Sequence, residues 1–223
     1  MKRSRITVVM VLGFTVVLFG EEPRREFVLP DALKSAAPEI PADQNHLTRF
    51  FATFPKGVPE FTKSLTEAEE RLDAGKDAGN PELLGKLRER HAQAKDLLKP
   101  PLEFTPETES AQTVALLALF NGTGVLARQA MFEKDYPGAD ALIGDMLEWS
   151  RMLRNARPNL MQGVISRYGW QDAFNALLLD WAKHPGQAKR LDEIEQLHLK
   201  NRIDRGEWIE MLKSEALWCA RSG

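Results

Sequence analysis

The sequence contains very little cysteine: Cys219 is the only one among its 223 residues. A single thiol cannot form an intramolecular disulfide, so the stability of the fold must come from packing. Apolar residues make up 43% of the chain, which is enough material for a sizeable core. Cys219 itself, which follows Trp218, is interpreted as a small buried hydrophobic residue.

The chain also lacks an excess of positive charge. Its 30 Lys and Arg residues are set against 32 Asp and Glu residues, which gives a net charge of −2. A nucleic-acid surface requires clustered basic side chains, and no such cluster stands out here. We therefore expect no nucleic-acid partner.

Motifs for catalysis and cofactor binding are missing as well. The sequence holds no His-Glu-x-x-His, no Gly-x-Ser-x-Gly and no phosphate-binding glycine loop. Glu195 and His198 form a single Glu-x-x-His pair, whereas a di-iron helical bundle needs two such pairs and two further glutamates. We interpret this pair as part of a helix surface, and His91, in an apolar stripe, as a hydrogen-bonded core or boundary residue. The sequence predicts no metal and no cofactor.

What is present begins with the first 20 residues. A basic start, MKRSR, precedes an uncharged run through Gly20, and this order predicts a signal peptide or a signal anchor over residues 1–20. The apolar part is shorter than the ~20 residues of a full transmembrane helix, which favours cleavage after Gly20. Leu18 is bulky for the cleavage site, so retention of residues 6–20 as a membrane anchor stays open. Either way, we expect an exported protein, periplasmic or otherwise extracytoplasmic.

Residues 21–45 are predicted to be a tether. Proline interrupts any helix in this segment, and no apolar periodicity survives between the prolines. Such a spacer after an export signal would hold the folded part away from the membrane. The prolines are Pro23, Pro30, Pro38 and Pro41.

The remaining residues, 46–223, are predicted to form one all-helical domain, because no run shows the sustained alternation of a strand. An apolar segment at 43–54 predicts a short first helix. Two apolar stripes joined by a turn at 74–80 then predict an antiparallel helical hairpin over residues 60–99. The stripes consist of Phe61, Leu65, Ala68 and Leu72, and of Leu84, Leu87, His91, Ala94 and Leu98. Asn80 followed by Pro81 predicts the start of the second helix of this hairpin.

Residues 107–221 are predicted to form a stack of helix pairs. The first helix spans about 107–134 and contains Asn121-Gly122-Thr123-Gly124, which predicts a kink, a break or a close helix contact. The next helix is expected from Ala139, after a break at Pro137-Gly138. In the last helix, expected over about 205–220, Trp208, Leu212 and Cys219 are expected to face inward.

One helix pair in this stack resembles a tetratricopeptide repeat, in which small residues let two helices approach closely. The residues that carry the resemblance are Leu126, Ala127, Tyr136, Ala139 and Ile143. Met146 stands where that pattern prefers alanine, Arg151 stands where it closes with proline, and no second copy follows at a 34-residue interval. The fold class is therefore all-α, either an irregular helical bundle or a short helix-pair stack.

The C-terminal half also resembles exported, all-helical bacterial proteins of unknown function. The resemblance runs from Ala111 to the end and includes MLEWSRMLRNARPNLMQGVI and the final EALW. It implies no activity. Those relatives often continue further, so whether the chain is complete at Gly223 stays open.

The tryptophans are the main candidates for binding, since all five lie between Trp149 and Trp218. At helical spacing such residues usually belong to the core. The alternative is a groove for a peptide or glycan, with Trp149, Tyr168 and Trp170 as the candidate interaction surface.

Two functions of different classes remain open. The first is a non-catalytic protein-interaction or structural module of the cell envelope, with an unidentified protein partner there and membrane attachment through the N-terminus if the signal is retained. The alternative is a hydrolase-type enzyme that uses scattered carboxylates, for which the candidates are Asp145, Glu148 and Asp172.

Overall fold

The computed structural model describes residues 40–54, 59–104 and 110–156, then 158, 162–164 and separate positions between 167 and 213. Of these residues 77% are helical and none lies in a strand, which confirms the all-α fold class. The predicted signal segment 1–20 and most of the predicted tether lie outside the described residues.

Five helices make up the described body. They are α1 (His46–Thr53), α2 (Pro59–Asp73), α3 (Pro81–Leu97), α4 (Ser110–Phe132) and α5 (Tyr136–Arg154). The predicted short first helix is confirmed as α1. The predicted cap at Asn80 is confirmed too, because its side chain accepts a hydrogen bond from Leu83 N.

The expected start of α5 at Ala139 is wrong by one turn. Asp135 caps the helix by accepting a hydrogen bond from Gly138 N at 3.0 Å, so the helix already includes Tyr136. Pro137 fits in this position because the amides of a first helical turn have no partner within the helix.

Two helices end in the same local geometry. After α2, Gly75 has φ +72° and Lys76 N donates to Arg71 O; after α4, Lys134 has φ +65° and Asp135 N donates to Ala130 O. Both are Schellman motifs, in which a residue of left-handed conformation ends the helix. Glycine adopts that conformation freely, whereas Lys134 does so at a steric cost, because it carries a Cβ.

Helix α4 is the centre of the body, since α2, α3 and α5 all pack on it. One core cluster joins α1, α4 and α5 and contains Phe50, Phe120 and Leu153. A second cluster joins α2 and α3 to the other part of α4 and contains Leu84 and Val125.

The glycine-containing stretch of α4 forms a close helix contact and does not interrupt the helix. A Cβ built on Gly122 would lie 2.6 Å from Leu87 Cδ2, so the absence of a side chain lets α3 approach. Of the three predicted alternatives, the close helix contact is therefore the correct one.

Helix α4 is also long and apolar enough to cross a membrane, over Val114–Phe132 with a mean hydropathy of 1.2. It is the one such helix among the described residues, and 78% of this stretch is buried inside the fold. This hydropathy and this degree of burial are typical of a core helix, so they are weak evidence for membrane insertion.

Two buried side chains of α4 fix the turn between α2 and α3. Arg128 donates to Asp73 Oδ1 at 2.7 Å, and Gln129 Oε1 accepts from Ala78 N at 2.8 Å. Because both contacts come from one helix, the turn is held in a set position on α4.

Asn45 holds the connection between α3 and α4. Its fully buried side chain donates to Glu103 O at 2.7 Å and accepts from Glu103 N at 3.2 Å and from Leu47 N at 3.1 Å. Phe104 N in turn donates to Ala156 O at 2.8 Å. These bonds connect the start of α1 with the end of α5.

Candidate functional site

The predicted aromatic surface is only partly described. Trp149 on α5 is 3% exposed and belongs to the main core cluster. It therefore has the core role that its helical spacing predicts, and it presents no exposed indole to a partner. Tyr168 and Trp170 lie outside the described residues.

The candidate catalytic carboxylates have different surroundings. Asp145 on α5 accepts from Lys95 Nζ on α3, at 3.0 Å and 3.1 Å from its two oxygens. Glu148 is exposed, and Asp172 lies outside the described residues. Asp145 is thus held in an ion pair, and the enzyme alternative stays a prediction.

His91 joins this ion pair from α3. Its Nε2 lies 3.1 Å from Asp145 Oδ2, a close electrostatic contact whose strength depends on the charge of the imidazole. The ring also packs on Trp149, with the centroids 5.2 Å apart. The side chains of His91 and Asp145 are each 15% exposed.

Burial is the main cause that lowers the pKa of His91, because it disfavours the charged imidazolium. Asp145 acts in the opposite direction, and the nearby ammonium of Lys95 adds to the lowering. Among the described residues, no group of three or more His, Cys, Asp and Glu could hold a metal ion. The charge of this cluster can therefore change with pH, and its contacts link α3 to α5.

A cavity of about 280 Å³ lies next to the cluster and shares His91 with it. Helix α3 supplies Arg88 and His91, α4 supplies two apolar residues, and the turn into α5 supplies two carboxylates. The complete lining is Arg88, His91, Leu126, Ala130, Glu133, Asp135, Gly138 and Leu142. Charged groups of both signs and three apolar side chains therefore line the cavity.

An exposed apolar surface is found on a helical segment further along the chain. Trp208, Ile209 and Leu212 are exposed to 39%, 43% and 54%, whereas Met211 is buried. We call these three exposed residues the 208–212 face. A Cβ built on Gly163 would lie 3.3 Å from Met211 Cγ, which shows where the segment packs.

The prediction that Trp208 and Leu212 face inward is wrong. At 100° per residue, the three members of the 208–212 face fall within one arc of about 100°, and Met211 borders that arc on one side. Among the described residues of this segment, Met211 is buried beside the three exposed members of the face.

Sequence reasoning did not find the link from Asp145 to His91 and Lys95. Lys95 follows His91 by four residues, so the two share a helix face, and this was the one available signal. Their common partner is 50 residues from Lys95, and no local pattern indicates it. Comparison of the chain with protein-family profiles, curated proteins and solved structures found no match.

Proposed function

We propose that this chain is a non-catalytic protein-interaction module of the cell envelope, and that its partner is a protein with an apolar groove. The 208–212 face carries the proposal. Neighbouring apolar side chains exposed on one helix face are typical of interaction sites, whereas single exposed ones are ordinary. The spacing i, i+1 and i+4 also fits recognition of a helix by a groove.

The identity of the exposed residues supports the same conclusion. Trp208 offers a large, rigid side chain, and tryptophan is enriched among residues that dominate binding energy. Leu212 lies one helical turn away and can enter the same groove. A partner that covers both would remove apolar area from water, at roughly 25 cal/mol per Å².

The α4–α5 pair supports a scaffold role for the rest of the body. Ala127 and Ala139 are fully buried, as expected where small residues let two helices approach. This pair is the one that resembles a tetratricopeptide repeat, a helix-pair unit that presents surfaces to partners. We propose that it has this role here.

The cellular location in the proposal rests on the sequence. The basic start and the apolar run of residues 6–20 support export, followed by release or by anchoring. Fractionation of the native host with N-terminal sequencing separates these two outcomes. A new N-terminus at Glu21 in the soluble envelope fraction means release, and an intact N-terminus in the membrane fraction means anchoring.

Affinity purification from envelope extract tests the interaction with matched variants. The tagged wild-type chain is compared with Trp208→Glu and Leu212→Glu, and with Phe132→Glu as a control. Phe132 is a suitable control because it is an apolar side chain on another helix with a similar exposure of 45%.

We expect one protein to be retained by the wild type and by Phe132→Glu, and to be at least tenfold reduced with the other two variants. Circular dichroism checks that all four chains remain folded. Equal recovery of that protein with every variant, or its absence from the wild-type sample, would contradict the proposal.

A further inference from the structure

The cavity beside His91 has an arrangement of charge that the proposed interaction at the 208–212 face does not use. We propose that this cavity is a binding site for a small zwitterion, namely a free α-amino acid with an apolar side chain. The proposal is independent of the protein partner, because the cavity is formed by α3, α4, α5 and the turn between the last two.

The positive and negative groups enter the cavity from different elements. The positive group, Arg88, comes from α3, whereas the carboxylates of Glu133 and Asp135 come from the turn between α4 and α5. The two signs of charge therefore stand on different walls. A ligand that carries one ammonium and one carboxylate can pair with the groups of both signs. A ligand with a single charge can pair with the groups of one sign only.

These charged groups can still form hydrogen bonds and ion pairs with a ligand. Arg88 is exposed and forms no ion pair within the described part of the chain. Glu133 Oε1 accepts from Gln129, and Asp135 Oδ1 accepts from Gly138, which leaves the second oxygen of each carboxylate without a described partner. A guanidinium suits a ligand carboxylate, and these oxygens suit an ammonium.

The volume and the apolar lining of the cavity favour a small ligand with an apolar side chain. Its volume of about 280 Å³ is just below the ~300 Å³ at which pockets for drug-sized molecules begin. Leu126, Ala130 and Leu142 also line the cavity and offer apolar contacts to an aliphatic side chain. Burial lowers the pKa of His91, whose imidazole adds a polar group to the lining.

The test is isothermal titration calorimetry of the purified chain with L-leucine and two matched analogues. Isocaproate keeps the carboxylate and the alkyl chain but lacks the ammonium, and isoamylamine keeps the ammonium but lacks the carboxylate. We expect leucine to bind with a Kd below ~1 mM. Each analogue is expected to bind at least tenfold more weakly, because it lacks one of the two charged groups that pair with the cavity lining.

Three variants and one control locate the binding. We expect at least tenfold loss of leucine affinity in Arg88→Gln and in Glu133→Gln, and no binding in Ala130→Leu, which fills the cavity. Lys86→Gln is the control, because Lys86 is an exposed cation on the same helix whose side chain contacts Glu82. Its affinity for leucine should equal that of the wild type.

Three results would overturn the proposal. They are the absence of saturable leucine binding up to 10 mM, equal affinity for leucine and either analogue, and equal affinity in Arg88→Gln and Lys86→Gln. Arg88→Gln changes an exposed side chain, so it stays informative even if Ala130→Leu does not fold. Failure here leaves the 208–212 face unaffected, since no protein partner enters the assay.

Discussion

His91 Nε2 lies 3.1 Å from Asp145 Oδ2, and the ammonium of Lys95 shares the same carboxylate oxygen at 3.0 Å. The three groups connect α3 to α5 beside the indole of Trp149. Because the imidazole is largely buried, a proton on His91 is less favourable in the folded chain than in the unfolded one.

This difference makes stability depend on pH. The pKa of His91 is lowered below its ordinary value of 6.5 in the fold, so the unfolded chain binds more protons as the pH falls. Its contribution to stability is complete above about pH 6.5 and is lost as the pH falls from there through the lowered pKa. Urea unfolding between pH 7.5 and 4.5 should show a smaller loss of stability in His91→Gln than in the wild type. Identical pH profiles would contradict the assignment.

Asn45 provides a test of the connection between α3 and α4. Asn45→Ala removes its side-chain hydrogen bonds to Glu103 and Leu47 and leaves buried backbone groups without partners, so we expect a loss of about 2–4 kcal/mol. Arg49→Ala is the control, because the Arg49 bond to Asp43 O is exposed and its removal should cost less than about 0.5 kcal/mol. Chemical denaturation measures both values, and equal losses would refute the role of Asn45.

Two glycines should respond to alanine with opposite signs. Gly122→Ala places a methyl group against Leu87 in the core, and we expect a loss of about 1–3 kcal/mol. Gly85→Ala meets nothing within 4 Å on an exposed part of α3, and it should raise stability by about 1 kcal/mol through helix propensity. Thermal unfolding of both variants checks the pair, and a stabilising Gly122→Ala would mean that α3 does not approach α4 closely.

Lys134 offers a simple gain in stability. Its φ of +65° is unfavourable for a residue with a Cβ, so Lys134→Gly should raise the free energy of unfolding by about 1 kcal/mol. Lys134→Ala keeps the Cβ and should change stability little. If both variants gave the same result, the charge of Lys134 and not its conformation would be responsible.

Features set by neighbouring residues could be predicted from the sequence. The apolar spacing of α1 and the cap at Asn80 depend on residues within one or two helical turns, and both agree with the structure. The partner of Gly122 could not be identified, because Leu87 belongs to another helix. The pairing of Asp145 with His91 and Lys95 likewise depends on how α3 and α5 pack.

The 208–212 face marks a different limit of sequence reasoning. Periodicity shows which residues share a helix face, but it does not show whether another element covers that face. Trp208 and Leu212 follow an inward-facing pattern, yet the packed residue is Met211. A partly exposed apolar stripe looks the same in sequence as a fully buried one.

Site-specific photocrosslinking in the native host tests whether the 208–212 face contacts a protein partner. A benzophenone side chain replaces Leu212 in one chain and, as the control, Phe132 in another. The proposal predicts one discrete higher-mass adduct from position 212, containing a single envelope protein, and none from position 132. The absence of an adduct at 212, or the same adduct from both positions, would contradict the assignment of the 208–212 face as the interaction surface.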